Sequence, residues 1–253
     1  MKSVLIFLVC AMVLGSSAGC GGTISETQGG TADFDRAKTA FDRGDYLDAV
    51  MDFKAYIELF PGTERTDDAL YYLGEAYMRQ KDYALASGQF DRLLRDFPSS
   101  QFQPDALFEL ARCDDLQSHG APLDQSETQR ALNRYHQFLE QYPDNPKAAD
   151  AQARVRALRD RLAEKRFRTG RLYYKIRQDE ASAISLRMVV AEFPDSKWAS
   201  EAALLLSDVL ARQGKQGEAI ETLKRLQASA AEDEVRKRAE ERLHVLERSG
   251  TSQ

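Results

Sequence analysis

Few side chains in this sequence are of types that do covalent or metal chemistry. His119, His136 and His244 are the only histidines, and they stand far apart in the 253-residue chain. No His-Glu-x-x-His, paired-cysteine, glycine-rich phosphate-loop or Gly-x-Ser-x-Gly pattern occurs, so the sequence gives no support for zinc hydrolysis, nucleotide binding or serine hydrolysis. Asp114, Asp115 and His119 are the one local set of metal-ligand types. Solvated polar residues beside a loop are the commoner origin of such a trio, and the expectation is no metal, no cofactor and no catalytic residue. Recurring rings are the stronger signal. Phe34, Tyr71 and Phe108 follow one another at a spacing of 37, and seven residues beyond them stand Phe41, Met78 and Asp115. With Lys38, Arg79 and Arg112 at the edge, these residues are expected to line an apolar groove for an extended peptide carrying an aromatic side chain and a carboxylate. The competing reading packs the same rings between helices as core.

One further residue points to covalent modification. Residues 1–20, MKSVLIFLVCAMVLGSSAGC, place Lys2 before an apolar run from Val4 to Leu14 and end in small residues. The run is about half of the ~20 residues needed to span a bilayer as a helix, so residues 1–19 read as a signal peptide. Ser17-Ala18-Gly19-Cys20 resembles the bacterial lipobox, which makes Cys20 the lipid attachment site, although leucine is usual where Ser17 stands. Cleavage near Ala18 without lipid is the alternative. Several acyl chains, at ~0.8 kcal/mol per buried CH₂, would hold the protein on a membrane with no transmembrane helix. Gly21 rather than aspartate follows, which favours the outer membrane. Cys113 is then the only other thiol of the mature chain, so no internal disulfide forms. Leu110 and Ala111 beside it mark a buried small side chain.

The elements that position these residues are helical repeats. Leu70, Leu73, Gly74 and Tyr77, followed by Ala86, Phe90 and Pro98, have the spacing of a tetratricopeptide helix pair. The pairs Phe60-Pro61, Phe97-Pro98, Tyr142-Pro143 and Phe193-Pro194 each close a second helix. Twelve residues before each proline stand Ala49, Ala86, Ala131 and Ser182, and eight before it Phe53, Phe90, Tyr135 and Leu186. Small residues let helix backbones cross closely, and the larger ones fill the space around the crossing. The fold expected is all-α: a superhelical solenoid of about five helix pairs with a C-terminal capping helix. Lys and Arg total 35 against 40 Asp and Glu, which argues against a basic nucleic-acid surface.

In order, residues 20–31 are expected to form a lipidated, glycine-rich tether with a reach of about 18 Å, and residues 32–143 repeats one to three. Repeat three carries an insertion at residues 117–124, and its second helix is expected from Gln129 to Gln141. Residues 144–247 hold a long helix from Ala148 to Lys175, repeats four and five, and a polar-backed cap over 233–247; residues 248–253 are an expected disordered tail. Gly170 precedes Pro194 by the distance that separates Gly74 from Pro98, which sets the register of repeat four. The run Lys165-Arg166-Phe167-Arg168 reads as a solvated helix face. Arginine and aromatic types mix from the long helix onward, and Arg171, Tyr174 and Arg177 are the candidate contacts for a folded partner.

The lipobox cysteine, the segments LFPGTERTDDALYYLGEAYM, RDFPSSQFQPDALFELARC and EFPDSKWASEA, the insertion and the long helix before Tyr173-Tyr174 together resemble the BamD family. Its members are tetratricopeptide lipoproteins of the machine that assembles outer-membrane β-barrels. The resemblance covers essentially the whole mature length. It implies a non-enzymatic scaffold anchored on the outer membrane and facing the periplasm. Its C-terminal repeats would hold the periplasmic domains of a BamA-like barrel protein, alongside other lipoproteins of the machine, and its N-terminal repeats would receive unfolded β-barrel substrates. The alternative is another periplasmic repeat adaptor such as CpoB, whose family has an N-terminal coiled coil and no lipobox.

Overall fold

A computed structural model describes residues 26–118, 120, 124–229 and 232–250. The leader 1–19, Cys20, the first part of the tether, His119, residues 121–123 and the end of the tail lie outside the described residues. Within them are eleven α-helices and no strand: α1 Glu26–Arg43, α2 Tyr46–Leu59, α3 Thr66–Gln80, α4 Tyr83–Asp96, α5 Gln103–Gln117, α6 Ser126–Gln141, α7 Ala148–Lys175, α8 Asp179–Glu192, α9 Ala199–Arg212, α10 Gln216–Ser229 and α11 Asp233–Gly250. Each helix packs chiefly on its neighbours in sequence, the arrangement of a solenoid.

Two recurring local structures set the boundaries. After α1, α3, α7 and α9 comes a left-handed residue, respectively Gly44 (φ 85°), Lys81 (65°), Arg177 (61°) and Gly214 (76°). The next N–H bonds back to a carbonyl five residues earlier, as in Asp82 to Tyr77 and Gln178 to Tyr173, both at 2.9 Å. This is the left-handed cap that satisfies the last carbonyls of a helix. After α2, α4, α6 and α8 come Phe60, Phe97, Tyr142 and Phe193, with φ between −127° and −133°. Each still donates its N–H to the carbonyl four back, and the proline that follows keeps its backbone out of the helical region.

Helices cross where the small residues fall. A methyl group built on Gly74 would lie 2.6 Å from Phe90, and one on Gly170 would lie 2.8 Å from Leu186, so glycine is what admits those side chains. Ala49, Ala86, Ala131 and Ser182 are fully buried, and Ser182 Oγ donates to the Gly170 carbonyl at 2.8 Å, joining α8 to α7. The expected register of four repeats is therefore the one observed. Helix α7 serves both ends of the array. Its Ala151, Val155 and Leu158 pack with Tyr135 and Phe138 of α6, and its Ala163 and Phe167 with Leu186 and Val189 of α8.

Three boundaries differ from expectation. α1 begins at Glu26 rather than near Ala32, because Gly30 is buried against the Phe60 ring, which a methyl group built on it would meet at 3.5 Å, and this gives the extra turns a packed face. α6 begins at Ser126, where Asp124 accepts the Gln125 N–H at 2.8 Å and the Ser126 hydroxyl at 2.9 Å. α11 continues to Gly250, into the segment expected to be a disordered tail. Among the described residues no helix is long and apolar enough to cross a membrane.

Candidate binding surfaces

The recurring rings of the N-terminal repeats are mostly interior. Phe34 is 1% exposed, Phe108 3% and Met78 7%, which corrects the expectation that these three line an open groove. Phe34 meets the edges of Phe53, Tyr56 and Tyr72 with centroids 5.6–6.4 Å apart, and the Arg65 guanidinium caps it at 3.6 Å. Phe108 packs on Tyr135 and Phe138 of the following helix. The 37-residue period sets the phase of a residue on its helix, but the next helix covers that phase. Tyr71 differs: it is partly exposed, stacked on Phe102 at 4.3 Å with the rings 12° from parallel, and burial raises its hydroxyl well above the usual tyrosine range. Phe41, Tyr71 and Phe102, with Tyr72 between them, stay partly accessible.

The cations at this edge already have carboxylates. Lys38 reaches Asp42 at 2.5 Å, Arg79 lies 3.8 Å from Glu75 and Arg112 2.7 Å from Glu109. All three pairs stand three or four residues apart on one helix, the spacing at which such side chains meet. A peptide carboxylate must therefore compete with internal ones. Glu109, almost fully buried, also faces Lys147 at 3.6 Å. Glu75 is the exception to full pairing: its Oε1 is buried without a hydrogen-bond partner, and burial, then the Glu109 charge, raises its pKa.

The two aspartates once grouped with His119 are committed to arginines. Buried Asp114 takes Arg130 at 3.3 Å and Arg134 at 2.5 Å. Asp115 takes Arg154 at 3.1 Å and Arg161 at 3.7 Å, and Arg161 also bonds the Ser118 hydroxyl. These pairs tie α5, α6 and α7 together around the insertion. Cys113 is buried with its sulfur 3.3 Å from Met78 Sδ, and burial pushes its thiol up to about 12, which leaves it a thiol and a poor nucleophile.

The C-terminal candidates divide into a brace and a face. Tyr174 belongs to the brace: the Arg212 guanidinium lies 4.0 Å from its ring centre, donates to Asp179 at 2.7 Å and bonds the Tyr174 carbonyl at 3.2 Å. Arg171 and Arg177 are exposed. Between them Leu172 of α7 and its C-cap residue Ile176, each 57% exposed, continue one stripe. The residue equivalent to Leu172 in repeat two is Ala76, which is fully buried. The difference has a cause in the fold. α3 lies between α2 and α4, whereas α6 packs on the first half of α7 and leaves this stripe of the second half without a preceding helix.

A linear array of helix pairs, with accessible rings at one end and an uncovered apolar stripe among cations further along, is a helical-repeat scaffold of tetratricopeptide class. The chain belongs to the YfiO outer membrane lipoprotein family, whose pattern matches residues 29–226. It is similar to the outer membrane protein assembly factor BamD of Haemophilus influenzae, with 24% identity over 238 residues and 90% of each chain covered. It is also similar to BamD of Caulobacter vibrioides, with 25% identity over 220 residues covering 85% of this chain and 72% of that one. Among solved structures, a tetratricopeptide repeat protein from Parabacteroides merdae matches 87% of each chain at 16% identity and a TM-score of 0.41.

Proposed function

We propose that this chain is a non-enzymatic scaffold of outer-membrane β-barrel assembly, anchored by acyl chains on Cys20 at the outer membrane and facing the periplasm. Family membership and the similarity to outer membrane protein assembly factors support the process; the lipobox-like end of the leader supports the anchor. The observation that carries the partner assignment is the α7 stripe. Leu172 and Ile176 stand open, and Arg171, Lys175 and Arg177 around them make no ion pair among the described residues. Exposed apolar side chains ringed by arginine are the composition of an interface centre. Arginine forks also fix orientation by paired bonds to carboxylates. The partner that fits is a folded periplasmic domain of a BamA-like barrel protein, with apolar knobs and an acidic rim, and other lipoproteins of the machine join it. The N-terminal repeats, through Tyr71, Phe41 and Phe102, receive unfolded β-barrel substrates.

The test is co-purification in gentle detergent from outer membranes. Leu172→Glu with Ile176→Glu is expected to abolish capture of the barrel subunit while leaving helix content unchanged, because both residues are exposed. Cys20→Ala is expected to release the chain into the soluble fraction. Undiminished capture by the double variant overturns the partner assignment, and membrane retention of Cys20→Ala overturns the anchor.

A further inference from the structure

A second concave surface lies apart from the α7 stripe. Between α8 and α10, floored by Leu206 and Leu210 of α9, runs a cleft of about 1070 Å³. This is at or above the upper end of the ~300–1,000 Å³ typical of small-molecule sites. Nothing lining it lies between residues 161 and 186, so it shares no residue with the stripe. Its apolar depth is walled by charge, and carboxylates outnumber cations seven to four among the lining residues. Three of those cations are already neutralised, Arg187 by Glu218 at 2.6 Å, Arg238 by Glu201 at 3.0 Å and Arg225 by Glu221, and Arg159 from beside the cleft pairs Asp195 at 2.5 Å, which leaves the surplus at the α11 end. Glu232 and Glu234, both exposed at the α11 end, form no ion pair among the described residues. Apart from the turn at 194–197, the walls are helices whose backbone groups are spent on their own hydrogen bonds, so an occupant is held by side chains rather than by strand addition.

We infer that this cleft holds an extended segment of a partner protein presenting apolar side chains interleaved with lysine or arginine. The apolar groups enter between α8 and α10, and the cations meet the surplus carboxylates. An acidic segment is repelled by the same walls, and a neutral one gains no attraction from Glu232 and Glu234.

The test is fluorescence anisotropy of the full mature chain with two short labelled peptides, one alternating leucine with lysine and the other leucine with glutamate. The leucine–lysine peptide is expected to bind, with affinity falling as salt is raised, and the leucine–glutamate peptide is not. Ala191→Trp places a ring on an exposed wall position and should weaken binding about tenfold. Glu232→Gln with Glu234→Gln should weaken it less and flatten the salt dependence. Neither variant should alter capture of the barrel subunit, which separates this site from the α7 stripe. Equal binding of the two peptides, or an Ala191→Trp protein that binds as tightly as the parent, overturns the inference. If Ala191→Trp loses helix content, Thr222→Trp on the opposite wall is read in its place.

Discussion

Gly74→Ala and Gly88→Ala are the same chemical change on two adjacent helices, and the structure gives only the second a net gain in stability. At Gly74 the added methyl would sit 2.6 Å from Phe90 Cε1 and 2.7 Å from Cζ, whereas at Gly88 nothing lies within 4 Å. Both gain the helix propensity of alanine, about 1 kcal/mol. At Gly88 that gain stands alone. At Gly74 it is opposed by overpacking, since Phe90 is fully buried and held between helices; forcing a methylene into such a place costs about 1–3 kcal/mol. Gly74→Ala is therefore expected to be neutral to destabilising by about 2 kcal/mol and Gly88→Ala to be stabilising by about 1 kcal/mol. Urea titration followed by circular dichroism reads the difference as a shift of midpoint at unchanged slope. The coupling should also appear in a double-mutant cycle, with Phe90→Ala removing most of the cost of Gly74→Ala. If Gly74→Ala stabilises as much as Gly88→Ala, the close crossing of α3 and α4 is not what holds that glycine.

Phe108→Ala is expected to cost about 3–5 kcal/mol in stability because the ring is core, whereas Tyr71→Ala should cost less and weaken binding of peptides from barrel C-termini; a Phe108→Ala protein of parental stability would return that ring to the surface. Glu75 has a folded pKa above its unfolded value, so the folded state holds a proton that the unfolded state has released, and stability falls as pH rises through that interval. Glu75→Gln should remove this slope and raise the melting midpoint above the interval, since its Arg79 contact is long and half-exposed; a lower midpoint at neutral pH would show that the carboxylate is stabilising. Arg177→Gly should stabilise by about 1 kcal/mol by relieving a left-handed non-glycine residue while weakening capture of the barrel subunit. Lys81→Gly, with the same backbone conformation, should give the first effect without the second, and equal capture by both would exclude Arg177 from the interface.

Much of the array can be read from the sequence because its determinants are local. The aromatic-proline pairs close helices by the geometry of the residue before proline, and Gly74 and Gly170 announce their crossings by spacing alone. Lys38, Arg79 and Arg112, expected to meet a peptide carboxylate, stand three or four residues from Asp42, Glu75 and Glu109, a local spacing that already pointed to the internal pairs found. Burial of Phe34 and Phe108 was not, because it depends on rings contributed by the next helix. The early start of α1 was hidden for a similar reason: Gly29 and Gly30 read as breakers, and the Phe60 ring that buries Gly30 lies thirty residues away in sequence. The α8–α10 cleft has no sequence signature, since its width is set by how two repeats splay and not by any residue type.

The double use of α7 links these observations to function. An ordinary repeat would end after α6 and begin again with a short helix covered on both sides. Here twenty-eight residues run without interruption, about 42 Å at 1.5 Å per residue, and the helix is first a lid for α6 and then the opening helix for α8. That economy leaves one stripe of its second half with no preceding helix, and it is there that Leu172 and Ile176 lie exposed among unpaired cations. Covering the stripe with a helix of the chain itself would make a more regular solenoid and a poorer scaffold. A partner seated on it would replace the missing helix, burying apolar surface that the repeat architecture already prepares, and would be held on the same helix that packs against α6 of the N-terminal repeats.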